Sequence, residues 1–593
     1  MIDRKTKLRW RRNVRRGRRQ VEDLGSQAEE NLERHFFRRF GRLLDVRRFV
    51  IGWMLLVVLL LAGVSLQTRS LGGYYKTMRP VKGGTYSEGI LGSFTNASPL
   101  YAAGAVNTSV SKLLFASLFK IDQKGALVSD LAVKYVADAN GVKYTVTLRD
   151  KLTWHDGIPL TADDVVFTYR TIQNADAKSP LFSSWQGIKV EATNIYTVVF
   201  TLPNSLSAFP YSMTNGIVPK HILENVPVTQ LRSVPFNTNQ PVGSGPFMWN
   251  RVEVTGKSPE TREEKVGLIP FDGYHEGKPN IDNFVVRSFR NIQNMEESFY
   301  SGALDAMVGL DAAPKKLKDN KNIVEYSVPL EGLVSVFLKT TSEIFVDVKV
   351  RQAVVQSIDQ ASLLNGLGFP AVLANSPILR SQTGYDKTIV QLAYDKAVAN
   401  ALLDSAGWTK GANGMRYKDK KPLTFTLVSQ NTQGYSLVTK DLQKQWKSVG
   451  IDVVVQLQPG DDFQGSVSRH DYDALLYGIA IGPDPDVFAY WHSSQANLSS
   501  ATRLNLSEYK SAVADKSLEA GRTRTDPSVR TVKYRPFLEA WRSDAPAIVL
   551  YQPRFYYLAR SEVFGFNPRL FNEPSDRFSN VSQWMIRQQK IVN

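Results

Sequence analysis

The sequence predicts a water-soluble body of mixed α and β structure behind a single membrane-spanning helix, and three observations lead there. Hydrophobic residues make up 43% and charged residues 22% of the 593 positions. Both values sit near a soluble globular average, which disfavours a polytopic membrane protein and a low-complexity chain. One stretch, Phe49 to Leu66, runs eighteen residues without a charge. After it, short alternating strands such as Tyr144 to Leu148 and Tyr196 to Phe200 interleave with helical runs such as Val350 to Ile358 and Leu392 to Ala406, with no fixed-period repeat.

The N-terminal segment is the basic part of the chain. Up to Phe49 it holds 16 Lys and Arg against 7 Asp and Glu, which is more than half of the +17 net charge. A nucleic-acid arm and an anionic-lipid patch are both compatible with the ten basic residues between Arg4 and Arg19. The apolar run that follows favours the lipid, and no nucleic acid is expected as a partner. Between the two, Leu24, Ala28, Leu32, Phe36, Phe40 and Leu44 recur every fourth residue, an amphipathic stripe suited to a lipid interface, a partner helix or plain solvent.

As a helix, Phe49 to Leu66 extends about 27 Å, enough to span a bilayer core. Only Gly52, Gly63 and Ser65 interrupt its apolar surface, so a buried globular helix with one polar face is disfavoured. Lys and Arg crowd its N-terminal side. The positive-inside rule then puts residues 1–48 in the cytoplasm and the large domain outside, at the cell surface or in the periplasm. Since 48 residues precede the run, a retained anchor is expected rather than a cleaved leader. The string Leu61-Ala62-Gly63-Val64 resembles a bacterial lipobox with Val64 at the position of the modified Cys. The chain has no Cys, so no acyl chain is added there and the helix takes over as anchor. Residues 67–80, with Gly72, Gly73 and Pro80, read as a tether.

The same lack of Cys excludes disulfides, thiolate metal sites and Cys nucleophiles. Among the six His no two lie within five positions, so no helical His pair for zinc is present. GxSxG, P-loop and GxGxxG patterns are also missing, which weakens hydrolase, nucleotidase and dehydrogenase readings. No cofactor, no metal and no catalytic residue are expected. Asp461, Asp462, Asp471, Asp473, Asp484 and Asp486 invite a metal, but their spacing is wrong for a calcium loop, and a solvated acidic surface is expected instead.

The outer portion carries a recognisable series of strings. They run Ser117 to Ala132 (SLFKIDQKGALVSDLA), Tyr144 to Arg149, Thr153 to Val165 (TWHDGIPLTADDV), Pro241 to Phe247 (PVGSGPF), Tyr274 to Pro279 and Ser301 to Ala306. Val350 to Ala353 with Ser357 to Asp359, Tyr394 to Ala397, Ala406 to Trp408, Gly450 to Val453 and Pro483 to Asp486 follow. In this order they resemble the family 5 extracellular solute-binding proteins, the peptide-, nickel- and oligosaccharide-binding receptors of ABC importers. The resemblance spans about residues 81–570.

Several of these strings also have a local structural reading. Asp156-Gly157 is turn chemistry, and Thr161 with Asp164 suits a helix N-terminus, so Trp154 and His155 are expected to pack rather than catalyse. Gly243 and Gly245 around Ser244 suit a sharp corner or, alternatively, the close approach of a ligand.

The resemblance implies a two-lobed, periplasmic-binding-protein-like α/β fold of the large type II cluster, with no enzymatic activity. By analogy, lobe I covers residues 81–290 with an inserted subdomain, lobe II covers 291–548, and 549–593 return to lobe I. It implies a substrate-binding receptor of an ABC importer that captures peptides between the lobes and delivers them to a permease complex. A receptor for an oligosaccharide or metal chelate, or an outward-facing hydrolase, is the alternative. In peptide-binding relatives one strand gives main-chain hydrogen bonds to the ligand and an Asp beyond it meets the peptide ammonium. Here Gly478 and Ala480 correspond to the strand, Gly482 stands at the acidic position, and Asp484 is the nearby substitute. Tyr477, Phe488 and Trp491 are candidate stacking walls, and Ser244 a candidate cleft residue.

Overall fold

The computed structural model describes residues 47–592 apart from Tyr75, 259–260, 311–313, 315–316, 318–322, 498 and 500–502. The basic tail and the amphipathic stripe expected before residue 47 lie outside the described residues. The chain divides into two compact units, Met1–Arg79 with Gln588–Asn593, and Pro80–Arg587.

In the smaller unit the helix runs Arg47–Tyr74. Its Phe49–Thr68 segment has a mean hydropathy of 2.7 and none of it is buried, so it is long and apolar enough to cross a membrane. The helix continues eight residues past Leu66, where a tether was expected. Nothing from Gln67 to Leu71 breaks a helix, Thr68 bonds back through its hydroxyl to the Val64 carbonyl at 2.8 Å, and the glycine pair comes only at the end, where glycine commonly stops a helix. The rest of the expected tether is strand: Lys76–Val81 pairs with Arg587–Val592.

The larger unit is built on two mixed sheets. The first has seven strands in the order Val324–Pro329, Arg554–Ala559, Ala306–Leu310, Thr85–Leu91, Asn283–Phe289, Glu263–Pro270 and Phe247–Thr255. The second has six, in the order Val372–Leu373, Ala547–Gln552, Gly332–Leu338, Ala474–Ala480, Thr424–Gln430 and Asp452–Gln458. The chain crosses between them twice, at Leu330–Glu331 and at Pro553. The first sheet therefore takes in Ala306–Leu310 and Val324–Pro329, beyond the boundary expected at 290, and the return begins at Arg554 rather than 549. Both crossings fall where one strand ends and the next begins two or three residues later, a boundary that hydrophobic patterning does not mark.

A four-stranded antiparallel sheet of Ala132–Ala137, Lys143–Leu148, Thr197–Thr201 and Lys189–Asn194 sits on the first lobe and shares its core. The second lobe is covered on both faces. Along Gly332–Leu338 (GLVSVFL), Val334, Val336 and Leu338 enter one core while Leu333 and Phe337 enter another. Burial on both faces explains why this strand is almost uninterruptedly apolar. In the first lobe, buried Arg577 pairs with buried Glu88, tying the returning C-terminal segment to the Thr85–Leu91 strand.

The Thr153 to Val165 string folds as expected. Trp154 N–H donates to Ile158 O at 2.8 Å around Gly157, whose φ is +86°. Thr161 N–H donates to the Asp164 carboxylate at 2.9 Å, opening the helix Ala162–Ile172. Trp154 is fully buried.

Candidate functional site

The site grows from one strand. Ala474–Ala480 pairs antiparallel with Gly332–Leu338 over its whole length, from Leu338↔Ala474 to Gly332↔Ala480. On its other side it pairs in parallel only from Ala474 to Leu476, against Leu427 to Ser429. That partner strand stops at Gln430, so among the described residues no strand covers this side of Tyr477 to Ala480. Ile481 N–H donates to Glu331 O at 2.9 Å. By strand alternation the main-chain groups of Gly478 and Ala480 then point the opposite way, to the open side. One of them is occupied: Ala480 O accepts from the Tyr490 hydroxyl at 2.5 Å. A Cβ on Gly478 would lie 2.8 Å from the Tyr435 hydroxyl on the face of the sheet, so a larger residue there would displace that ring.

Beyond the strand the chain turns at Gly482, with φ +84°. Its N–H donates to Glu331 O at 3.1 Å and its carbonyl accepts from Gln382 Nε2 at 2.5 Å. The same amide nitrogen donates to Glu331 Oε2 at 2.7 Å. Burial pushes the Glu331 carboxyl up to about 7, against the downward pull of hydrogen bonds from Gln382 and Ser381. A Cβ at position 482 would stand 3.5 Å from Asn572 Oδ1 of the first lobe.

The next four residues are pinned by ion pairs. Arg530 grips Asp484 with two bonds of 2.7 Å, and both side chains are 7% exposed. Arg522 meets Asp486 at 2.8 Å and lies 4.1 Å over the Phe488 ring. Asp484 and Asp486 are thus charge-matched within the fold and do not belong to a solvated acidic surface; among the members whose burial is described, Asp462 and Asp471 are exposed. Asp484, considered as a partner for a ligand ammonium, has its charge committed to Arg530.

The candidate aromatic residues separate. Phe488 stacks on His492 at 4.0 Å and lines a pocket of about 510 Å³ shared by both lobes, with Ser184 and Leu206 from the first and Glu519 and Arg522 from the second. Tyr477 is half-buried against Phe463. Trp491, by contrast, is 1% exposed and packs on Phe337 and Trp541, so it fills the second lobe's core rather than walling a cleft. Three residues apart on the short helix Phe488–Trp491, the two rings share one face, and Phe488 at its start packs on the edge of the same core while reaching the pocket. The lobes also touch beside this pocket, where Ser207 N–H donates to Arg522 O at 2.9 Å and the Ser205 hydroxyl to Thr523 O at 3.2 Å. These carbonyls end the helix Ala512–Arg522 and would otherwise depend on water.

Ser244 sits in the first lobe and is 3% exposed, and its hydroxyl has no partner. Its flanking glycines wrap a corner around Leu114 and His155. Gly243 N–H donates to His155 Nδ1 and His155 Nε2 donates to Gly245 O, both at 3.1 Å. These roles require the neutral Nε2–H tautomer, and burial lowers the ring's pKa to about 4. A histidine held below its unfolded value near 6.5 stabilises the fold fully above that pH and loses the contribution as pH falls towards 4. Stability is therefore expected to fall by about 3 kcal/mol between pH 7 and 4 through this group. His155→Gln should flatten that part of the pH profile in denaturant titrations.

One cluster was not foreseen from the sequence. Ligand atoms of Asp130, His275 and Glu276 lie within 4.8 Å of one another. His275 Nε2 is 3.1 Å from Asp130 Oδ1, and Lys120 Nζ is 2.7 Å from Glu276 Oε1. Burial raises Asp130, but the His275 hydrogen bond and nearby Lys120 outweigh it and hold the carboxyl at about 2. Lys120 brings a positive charge to the cluster and offsets one of its two carboxylates.

Two α/β lobes joined by two crossings, with an open strand edge on the second lobe and a pocket lined by both, have the architecture of a two-lobed binding protein. The family model for bacterial extracellular solute-binding proteins, family 5, matches residues 126–500, and the chain belongs to that family. The oligopeptide-binding protein AppA of Bacillus subtilis is 28% identical over 523 residues, covering 86% of this chain and 92% of that protein. Its solved structure, in complex with a nonapeptide, superposes with a TM-score of 0.71 at 27% identity, covering 86% of this chain and all of that one. NikZ of Campylobacter jejuni, solved with Ni(L-His), gives a TM-score of 0.71 at 25% identity, covering 85% and 99%.

Proposed function

We propose that this protein is the peptide-binding receptor of an ABC importer, anchored outside the cell by the Arg47–Tyr74 helix, with its basic tail on the cytoplasmic side against anionic lipid. The observation that carries the reading is the strand edge at Gly478 and Ala480, which no described strand covers and where only the Ala480 carbonyl already has a partner, the Tyr490 hydroxyl. An extended ligand added there gains backbone hydrogen bonds that do not depend on its side chains, which suits peptides of varied sequence. The pocket shared by the lobes at Phe488 accepts a side chain. Similarity to the nonapeptide-bound AppA supports peptides over metal chelates. Ligand binding moves the lobes only through its unequal affinity for open and closed forms, and the closed form docks on the permease.

Anything that binds only the folded state raises its stability, by about 2.7 kcal/mol at a ligand concentration one hundred times Kd. The full chain in detergent is expected to gain thermal stability with mixed peptides of five to ten residues and not with oligosaccharides or Ni(L-His). A shift with either of the latter alone would replace the peptide reading. For the anchor, protease added to intact cells should digest the large domain and spare the tail.

A further inference from the structure

Beside the start of the four-stranded sheet, three side chains with metal-ligand chemistry converge. Asp130 stands between the strands Leu127–Ser129 and Ala132–Ala137, and His275 and Glu276 follow the strand Glu263–Pro270 of the seven-stranded sheet. One ligand atom of each lies within 4.8 Å of the other two. The two segments are far apart in sequence, so spacing rules that exclude local zinc loops do not reach them.

The two buried members are held in place for a common partner. Asp130 Oδ2 is committed, accepting from Ser117 N–H at 2.9 Å and from the Ser117 hydroxyl at 3.2 Å. That leaves Oδ1 facing His275 Nε2 at 3.1 Å, with the Asp130 side chain 5% and the His275 side chain 8% exposed. Neither Asp130 Oδ1 nor His275 Nε2 makes a well-aligned hydrogen bond, with the other or with anything else. Buried polar atoms are normally satisfied, and one cation between them would satisfy both. The separation suits it: bonds of about 2.0 Å at tetrahedral angles set two ligand atoms about 3.3 Å apart. The Ser117 bonds are the outer support that a metal-bound carboxylate usually has.

Glu276 approaches from the solvent side. Lys120 holds its Oε1 at 2.7 Å, whereas Oε2 has only a 3.5 Å contact, from the Tyr274 hydroxyl. With the imidazole neutral, as a ligand must be, two carboxylates against one ammonium leave a negative charge for a cation to meet. Asp130 also lines a cavity of about 30 Å³ with Ser117, Lys120 and Tyr274, room for one water.

We propose that Asp130, His275 and Glu276 bind a divalent cation of the zinc class, with one water as the fourth ligand. An imidazole with two carboxylates suits Zn2+ better than Ca2+ or Mg2+, which prefer oxygen throughout. All three ligands belong to the first lobe. The ion is therefore a fixed part of the fold, clipping the small sheet to the large one, and not cargo held between the lobes.

Calorimetry on the full untagged chain in detergent, freed of metal with a chelator, tests this. Zn2+ is expected to bind at one equivalent per chain and to raise the melting temperature, and Ca2+ and Mg2+ at the same concentration to do neither. His275→Gln and Glu276→Gln should each weaken Zn2+ binding at least about tenfold. His221→Gln, taken from the exposed His221–Asp156 pair, should leave it unchanged. Co2+ bound by the wild-type chain should absorb strongly in the visible, as four-coordinate cobalt does and the aqueous ion does not; this measurement decides the matter even if a variant does not fold. No Zn2+ binding at one equivalent, a preference for Ca2+, or only the pale spectrum of the aqueous ion would overturn the site. So would an affinity that survives both His275→Gln and Glu276→Gln, or one that falls with His221→Gln.

Discussion

Asp484→Ala is expected to destabilise the Pro80–Arg587 unit by about 3–5 kcal/mol, seen as a large fall in denaturant midpoint. The Asp484 carboxylate and Arg530 guanidinium are each 7% exposed and joined by two 2.7 Å bonds. Arg530 cannot escape by losing its proton, because a guanidinium stays charged at any accessible pH. Removing its partner leaves a buried cation with the Gly521 carbonyl and Tyr534 as its remaining company. The loss should reach the binding site too, since the pair fixes the turn that follows Gly482. A double replacement, Asp484→Leu with Arg530→Met, should cost less than Asp484→Ala alone, because it removes both charges together. If the single change costs under about 1 kcal/mol, the pair is better solvated than its burial indicates.

Gly243→Ala is expected to be the other severe change, costing about 3 kcal/mol or more and leaving little soluble protein. A Cβ there would lie 1.8 Å from the Leu114 carbonyl oxygen, a backbone atom that cannot swing aside. Moving it would break the bond from Gly245 N–H to the same oxygen and disturb the ring of bonds around His155. Gly157→Ala makes the comparison. Its φ of +86° lies in the left-handed region, but a Cβ there meets nothing within 4 Å, so the cost should stay near 1 kcal/mol. Similar effects for the two would mean that the corner at Leu114 is looser than the distances imply.

This contrast bears on what could be read from residues alone. A glycine pair around a serine was compatible with a sharp corner or with the approach of a ligand, and only the position of Leu114 favours the corner. Asp484 and Asp486 looked like acids among turn-forming prolines because their guanidinium partners lie 46 and 36 positions away. Phe488 and Trp491 are both aromatic and three residues apart, yet one borders a pocket and the other is core. Gly478 and Ala480 were identifiable by resemblance, but that their edge is uncovered depends on where a separate strand, Thr424–Gln430, ends. Glu331 carried no signal at all, since it sits inside an apolar stretch at a crossing that no local pattern marks.

What the chain determined by itself was whatever depends on near neighbours: the eighteen-residue apolar run, the turn at Asp156-Gly157, the helix opened by Thr161 and Asp164, and the ordered strings that identify the family. Those features follow from short-range sterics, local hydrogen bonds and hydrophobic periodicity, which act within a few residues. Only the tertiary structure decided which charges neutralise one another, where the two sheets hand the chain across, and which strand edge stays open. Each of these depends on distances between segments far apart in sequence, and burial, which sets the cost of an unmatched charge, exists only once those segments have come together.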